Sequence, residues 1–377
     1  MNSKNSQKNE GTIHGNTANV TIDVRMIYAS GIGTYLRNTL PKVFLSRPNY
    51  HFFLICQRED FDRLGWKFDN VSFIFSKSTI YSLAQQWEIP RLVPKNTHIL
   101  WVPHYDIPLF YRGPLLVTVH DVAHLALTDL YKGMKRLYAK VMFAALRHKA
   151  RFIICVSEFS RQEMIRLTGC GRQNSETVHL GIDEFWFEPP KNQVIPATPH
   201  LIFVGNIKPH KNLRGLLAAF GRIKDQIPHD LVIVGKRDGF ITGDDAVQKA
   251  ISEFGGRVRF TGYISDDELK AAIAAADALI LPSFYEGFGL PPLEAMACGC
   301  PTLVSNAGSL PEVCADAALY CDPHDPADMA EAILRLVNDA PLRDDLRLRG
   351  MARARSLRWD ACANRTLEIL DDCLKQR

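Results

Sequence analysis

Short apolar runs alternate with stretches of helical period along the whole chain, a rhythm that predicts parallel α/β layers. Strands are expected near residues 19–25, 51–56, 72–76, 98–103, 115–120 and 152–157. They recur near 200–205, 230–235, 257–262, 277–282 and 301–305. Helices fill the intervals, among them 34–45 and 131–149. Ser265 and Glu268 have the spacing of a capping box at the start of DDELKAAIAAA. The rhythm stops once, at EPPKNQVIPATPH, residues 188–200, where the prolines resist both helix and strand.

The break divides the chain into a floppy leader over 1–18, a first half over 19–188, a linker over 189–199 and a second half over 200–358. Each half reads as a doubly wound, Rossmann-like α/β unit. Ligands of open α/β sheets bind at the carboxyl ends of the strands, so the cleft between the halves is the place for a site. The closing run, LRLRGMARARSLRWDACANRTLEILDDCLKQR, reads as two helices broken near Trp359.

Composition narrows the class. A chain of 377 residues is long for one core, and 46% hydrophobic with 23% charged residues is the profile of a soluble globular protein. There is no apolar run of about 18 residues to span a bilayer. The first residues lack the apolar core of a signal peptide. Nine cysteines without metal-ligand spacing fit reduced thiols in the cytoplasm.

The net charge of +4 is unevenly placed, since residues 129–176 alone carry ten Lys/Arg against four acids. Within that basic segment the helix expected over 131–149 shows Met134, Leu137, Tyr138, Val141, Met142 and Leu146 on one side. Part of that face must pack on the sheet, and the basic face suits the anionic headgroups of a membrane surface. No nucleic-acid partner is expected.

The chemistry concentrates in SFYEGFGLPPLEAMACGCPT, residues 283–302. Glu286 and Glu294 flank a Gly-Phe-Gly-Leu-Pro-Pro turn and have no basic neighbour within the stretch. A strand ends before the turn and the prolines suit the first turn of a following helix. The amides of Gly287, Phe288, Gly289 and Leu290 then form a ready anion site, and the two carboxylates can accept hydrogen bonds from sugar hydroxyls. Gly31-Ile32-Gly33 likewise sits between a strand and a helix. Asp60-Phe61-Asp62 has the D-x-D form of a cation site but follows a strand directly, as a helix start does.

This stretch, with PSFY before it and SNAGSLPEV after it, resembles the donor-site signature of family 4 glycosyltransferases, which have the GT-B fold. The resemblance extends over the chain through DVRMIYASGIGTYLRN, VTVHD (117–121), VGNIKPHKN (204–212) and GYIS (262–265). It implies two Rossmann-like domains, with the last helix (359–377) crossing back to complete the first. It also implies transfer of a sugar from a nucleotide diphosphate donor with retention of configuration, and neither metal nor cofactor. Glu286, His120 and Lys211 would then carry the chemistry. Glu286 and His120 would touch the transferred sugar, and Lys211 would neutralise the diphosphate. Glu294 would hold the ribose. Gly287, Phe288, Gly289, Leu290, Gly205, Asn206, Tyr263, Ile264 and Gly33 would line the donor site. His104, Tyr105, Asp106 and Gly31 would meet the acceptor.

One position departs from the pattern. Where the family often has an arginine after the glycine, this chain has Asn206, leaving Lys208 or His210 to supply the charge. The resemblance points to mannose from GDP-mannose, delivered to a glycan or lipid-linked acceptor in cell-surface polysaccharide synthesis. The enzyme would work in the cytoplasm, at or near the inner face of the membrane. A GT-B nucleotide-sugar 2-epimerase and a catalytically silent nucleotide-sugar-binding scaffold are the alternatives.

Overall fold

A computed structural model describes residues 17–191, 198–235 and 254–375. The expected leader and linker therefore fall largely outside the described residues. Two wholly parallel sheets carry the fold. The first contains β1 (Asn19–Asp23), β2 (His51–Cys56), β3 (Val71–Phe75), β4 (Ile99–Val102), β5 (Leu115–Val119), β6 (Ala150–Cys155) and β7 (Ser175–Thr177), in the order β3-β2-β1-β4-β5-β6-β7. The second contains β8 (His200–Val204), β9 (Asp230–Val234), β10 (Val258–Gly262), β11 (Ala278–Leu281), β12 (Thr302–Ser305) and β13 (Leu319–Cys321), in the order β10-β9-β8-β11-β12-β13. β1, β4, β5, β8 and β11 are central and nearly fully buried, as strands covered by helices on both faces must be.

Strand order reverses between β1 and β4 in the first sheet and between β8 and β11 in the second. At such a reversal the loops leaving neighbouring strands diverge and open a crevice. The residues after β8 and β11 are the stretches containing Lys211 and Glu286. Residues after β1, β4 and β5 include Gly31, His104 and His120. The strands expected from the sequence all form. β7 and β13, three residues each, are too short to leave a period in the sequence.

The helix Leu290–Ala297 takes Pro291 and Pro292 in its first turn, where missing N–H groups cost nothing. The capping box at Ser265 is formed in both directions. All nine cysteines are free thiols, and all but Cys298 are buried. Among the described residues no helix is long and apolar enough to cross a membrane.

The chain returns to the first sheet at its end. Ile182 N–H donates to Leu357 O (2.9 Å), and the helix Trp359–Lys375 then packs on the helix Ser30–Ser46. Trp359, Cys362, Ala363, Thr366, Leu367 and Leu370 form its buried stripe, at the spacing of one helical face. Trp359 lies 6.5 Å from the Tyr35 ring. Ion pairs from Lys42 to Asp360 (2.6 Å) and Arg47 to Asp371 (2.5 Å) flank the stripe. Trp359→Ala should therefore cost about 3–5 kcal/mol, as for other buried tryptophans. Urea unfolding followed by circular dichroism will show the midpoint fall, whereas an unchanged midpoint would mean that the terminal helix contributes no packing.

Candidate active site

Glu286 has a basic partner after all, 75 residues away in sequence. Lys211 Nζ lies 2.6 Å from Glu286 Oε1, and Ser283 Oγ donates to the same oxygen at 2.6 Å. Both members of the pair are largely shielded from water. The pair spans the β8/β11 reversal, so neighbouring strands deliver its two halves. Asn212 fixes the lysine end. It adopts a left-handed backbone (φ 56°), and its Oδ1 accepts from Gly215 N–H to cap the helix Leu213–Ile223. Its amide nitrogen donates to Pro282 O (3.1 Å) and Pro323 O (2.7 Å), tying the lysine loop to the glutamate loop. Phe284 N–H donates to His210 O (2.8 Å) and closes the connection.

The glutamate loop is cradled from behind by residues 305–309. Ser309 N–H donates to Glu286 O (3.2 Å) and Ser309 Oγ to Phe288 O (2.8 Å). Ser305 Oγ donates to Ser283 O (2.5 Å). Asn212 and Ser309 escape sequence reasoning because their work is to position backbone, and Ser283 because its partner is the side chain of Glu286.

On its other side the loop touches the first half. A Cβ on Gly287 would sit 2.0 Å from His120 O, so no residue but glycine fits there. Gly287 O accepts from Ser157 Oγ (2.6 Å) and Ser160 Oγ (3.0 Å). Tyr285 is buried among first-half residues, edge-on to Phe159, and its hydroxyl accepts from Val122 N–H (3.4 Å).

His120 is placed against this contact. Burial, with the charge of His104 adding to it, pushes its imidazole down to about 3, so the ring is neutral near pH 7. Its Nε2 is buried and has no partner among the described residues, leaving one nitrogen for a ligand. His210 is also held neutral, down to about 4, chiefly by burial. It therefore brings no charge to replace the absent arginine. Lys208 is exposed and close enough to depress both His124 and His210.

Glu294 is half-buried on the helix Leu290–Ala297. Burial, with the negative charge of Asp266 adding to it, pushes its carboxyl up to about 8. No side chain caps the start of that helix at Gly289, whose φ of 102° suits glycine. Gly205 lies beside the Lys211 stem, which passes 3.8 Å from where a Cβ would lie, an ordinary contact distance. Its own N–H is engaged by Val234 O (2.9 Å). Asn206 is half-buried, Tyr263 is exposed and Ile264 packs on the core.

The first-half candidates separate. A Cβ on Gly31 would meet only Leu290 of the glutamate loop, at 4.0 Å, which puts Gly31 on the cleft. The Gly33 amide is engaged within its own half. Its N–H donates to Ala29 O (2.8 Å), and a Cβ there would strike Ile27 O at 2.5 Å, so it is a packing glycine within its own half. His104, Tyr105 and Asp106 are buried. Asp106 accepts from Tyr81 N–H (2.9 Å), Gln85 Nε2 (2.6 Å) and Tyr138 OH (2.5 Å), which occupies it structurally. Tyr105 OH bonds His124 Nδ1 (2.9 Å). Both His104 ring nitrogens lack hydrogen-bond partners among the described residues, although Asp23 lies 3.6 Å away. Asp60 sits in the first turn of the helix Arg58–Leu64, and no group of three or more His, Cys, Asp or Glu side chains converges among the described residues.

Comparisons with known proteins show the family and the fold. The family profile described as Glycosyltransferase Family 4 matches residues 44–184, and that described as Glycosyl transferases group 1 matches residues 184–353. The O-antigen chain mannosyltransferase B of Escherichia coli is 32% identical over 280 residues, covering 70% of this chain and 72% of that one. The chain belongs to the family 4 glycosyltransferases. The D-inositol 3-phosphate glycosyltransferase of a Nocardioides species is 29% identical over 243 residues, 58% of this chain and 53% of the relative. Against the serotype-specific mannosyltransferase WbdA of Escherichia coli this glycosyltransferase spans only 32% of the relative's length, at 25% identity over 66% of its own. Among solved structures, Anabaena HepE in complex with UDP and glucose superposes with a TM-score of 0.76 at 16% identity, covering 94% of this chain and all of that one. WaaG, a glycosyltransferase involved in lipopolysaccharide biosynthesis, superposes at 0.74 with 14% identity, covering 93% and 99%. The fold is GT-B.

Glu294 should make the stability of the glycosyltransferase depend on pH. Its carboxyl is raised in the folded state, so the fold binds a proton that the unfolded chain gives up near 4.5. That contribution is whole at acid pH and is lost as pH climbs from 4.5 towards 8. Glu294→Gln, a neutral isostere, should therefore melt with the wild type near pH 5 and above it near pH 8.5. A gap of roughly 2–4 °C corresponds to about 1 kcal/mol. Scanning calorimetry at the two pH values checks this, and a gap independent of pH would remove the assignment.

Proposed function

We propose that this glycosyltransferase moves mannose from GDP-mannose, with retention of configuration, to a glycan or lipid-linked acceptor in cell-surface polysaccharide assembly. The Lys211–Glu286 pair beside the uncapped start of the helix Leu290–Ala297 carries this reading. A diphosphate entering there would meet Lys211, the amides of residues 287–290 and exposed Lys208, with no metal required. Charge developing on the leaving diphosphate is stabilised most where such groups are already in place. Displaced from Lys211, Glu286 is free to accept a hydroxyl of the sugar, with neutral His120 opposite it. Glu294 would take the ribose. The mannosyl assignment is supported by the names of relatives, including O-antigen chain mannosyltransferase B and WbdA. Other relatives, such as the glycogen synthase of Mycobacterium tuberculosis (29% identical), act under other names, so the sugar has to be tested directly.

GDP-mannose turnover in EDTA-treated buffer tests the whole reading. The wild type should release GDP, and Glu286→Gln should lower turnover by about 10²-fold, within the range for a lost transition-state contact, while GDP affinity stays within about twofold. Turnover from a UDP-sugar alone would move the donor assignment, and wild-type turnover in Glu286→Gln would remove Glu286 from the chemistry.

The acceptor side is proposed to meet an anionic membrane surface. Of the eleven large hydrophobics that are exposed among the described residues, eight belong to the first half between Tyr81 and Val141. They include Leu83, Trp87, Phe110, Met134, Leu137 and Val141. The Trp87 ring lies tilted against Phe110 (5.0 Å), and Tyr81 reaches Tyr131 through His124, so the segments adjoin. The helix Met134–Lys149 buries Ala139, Met142, Phe143 and Leu146 and turns Met134, Leu137 and Val141 outward among Lys135, Arg136 and Lys140. Each basic group near an anionic surface contributes about 1 kcal/mol, and salt screens it. The protein should sediment with phosphatidylglycerol vesicles at low salt, and replacing Lys132, Lys135, Arg136 and Lys140 by glutamine should weaken binding. A wild type that ignores the vesicles would make this face plain solvated surface.

A further inference from the structure

We propose that Glu312 is a positioning residue that latches the donor half onto the acceptor half and so seats the Glu286 loop, an inference that rests on the site reading above. The helix Glu158–Thr168 in the first half begins at Ser157, whose Oγ accepts from Ser160 N–H (3.0 Å). Its next two amides are satisfied by neither its own side chains nor its own half. Glu158 N–H donates to Glu312 Oε1 (2.7 Å) and Phe159 N–H to Glu312 Oε2 (2.9 Å), a two-point grip by a carboxylate from the other sheet. A helix start carries partial positive charge, so an anion is the partner it favours. His179 Nε2, also of the first half, lies 2.6 Å from Glu312 Oε1.

Glu312 is kept ionised there. Burial acts to raise its carboxyl, but the hydrogen bonds from His179 and the two amides outweigh burial and hold it below the ordinary carboxylate range. Its own segment is anchored in the donor half, where Arg353 donates to Glu312 O (2.9 Å) and Val313 O (2.8 Å).

The functional consequence comes from what lies three residues upstream. Ser309 bonds Glu286 O and Phe288 O, so one short segment grips the catalytic loop at one end and the acceptor-half helix at the other. Ser157, the cap of that same helix, donates to Gly287 O. The Glu286 loop is thus clasped between Ser309 behind and Ser157 in front, and Glu312 holds the two at a fixed separation. Nucleotide contacts at Lys211 and Glu294 lie within the donor half alone. Breaking the latch should therefore spare nucleotide affinity and lower turnover.

The test uses the full chain with Glu312→Ala, Glu312→Gln and, from the other half, His179→Ala. Hydrogen exchange should speed up in Glu312→Ala at Glu158 and Phe159 and also at Phe284, whose N–H ties the seated loop to His210 O. GDP affinity by calorimetry should stay within about twofold, while GDP-mannose turnover falls about tenfold or more, equivalent to about 1.4 kcal/mol. Glu312→Gln, which keeps one acceptor oxygen, and His179→Ala should fall between. Equal exchange at 158–159 in wild type and Glu312→Ala would overturn the latch. Faster exchange at 158–159 with Phe284 unmoved, or with turnover unchanged, would overturn the positioning role. Should the wild type leave GDP-mannose untouched, the donor reading fails by itself, and the paired exchange at 158–159 and Phe284 still decides the latch.

Discussion

The cleft depends on one bare stretch of backbone. At Gly287 the donor loop comes so near His120 O that a methyl group would overlap it. Backbone of one half comes this near backbone of the other only because no side chain stands between them. Its absence lets Gly287 O reach both Ser157 and Ser160 and brings Tyr285 into the first-half core. The neighbouring Gly289 serves a different need. Its positive φ turns the chain into the helix Leu290–Ala297, and a Cβ there would press on Leu310 at 2.7 Å. Two glycines one residue apart therefore do separate jobs, closeness and direction.

Electrostatics in the cleft follow from that closure. Glu286 and Lys211 are largely shielded from water, and removing one member of such a pair strands a charge at a cost of about 3–5 kcal/mol. In the proposed reaction the pair would be a storage form, with Lys211 exchanging one anion for another as the diphosphate arrives. The imidazoles nearby are kept neutral by burial, so they can offer or accept hydrogen bonds without competing for that anion.

The fold was legible in the chain because parallel strands buried on both faces leave continuous apolar runs. β5, LLVTV, and β8, HLIFV, are such runs, and their strand ends also date the loops that follow. The break at Trp359 was legible for the same reason, since the helical stripe resumes there in a new phase. β7 and β13 were not, because three residues carry no period. In the site, Glu286, Lys211 and His120 stood out because each follows a strand and belongs to an ordered set of motifs. Gly33 packs against Ile27 O, and a glycine kept for packing looks the same in sequence as one kept for a ligand. His104, Tyr105 and Asp106 looked like a cleft loop because they leave β4, yet Asp106 spends its carboxylate on Tyr81, Gln85 and Tyr138.

What the sequence hid is of one kind: residues whose partners lie far along the chain and whose own surroundings are plain. Asn212 follows a lysine and precedes an ordinary helix, and nothing local says that its amide bridges Pro282 and Pro323. Glu312 sits in LPEV, a short helix with no charge pattern, and its partners are amides 154 and 153 positions earlier. A backbone amide leaves no trace in the sequence, so a carboxylate that binds amides cannot be paired with them by pattern alone. Side-chain pairs such as Lys211–Glu286 carry a signal at both ends. Contacts to backbone carry it at one end only, which is why Glu286 and Lys211 could be picked out as candidates from their residues while the scaffold that holds the pair had to be seen.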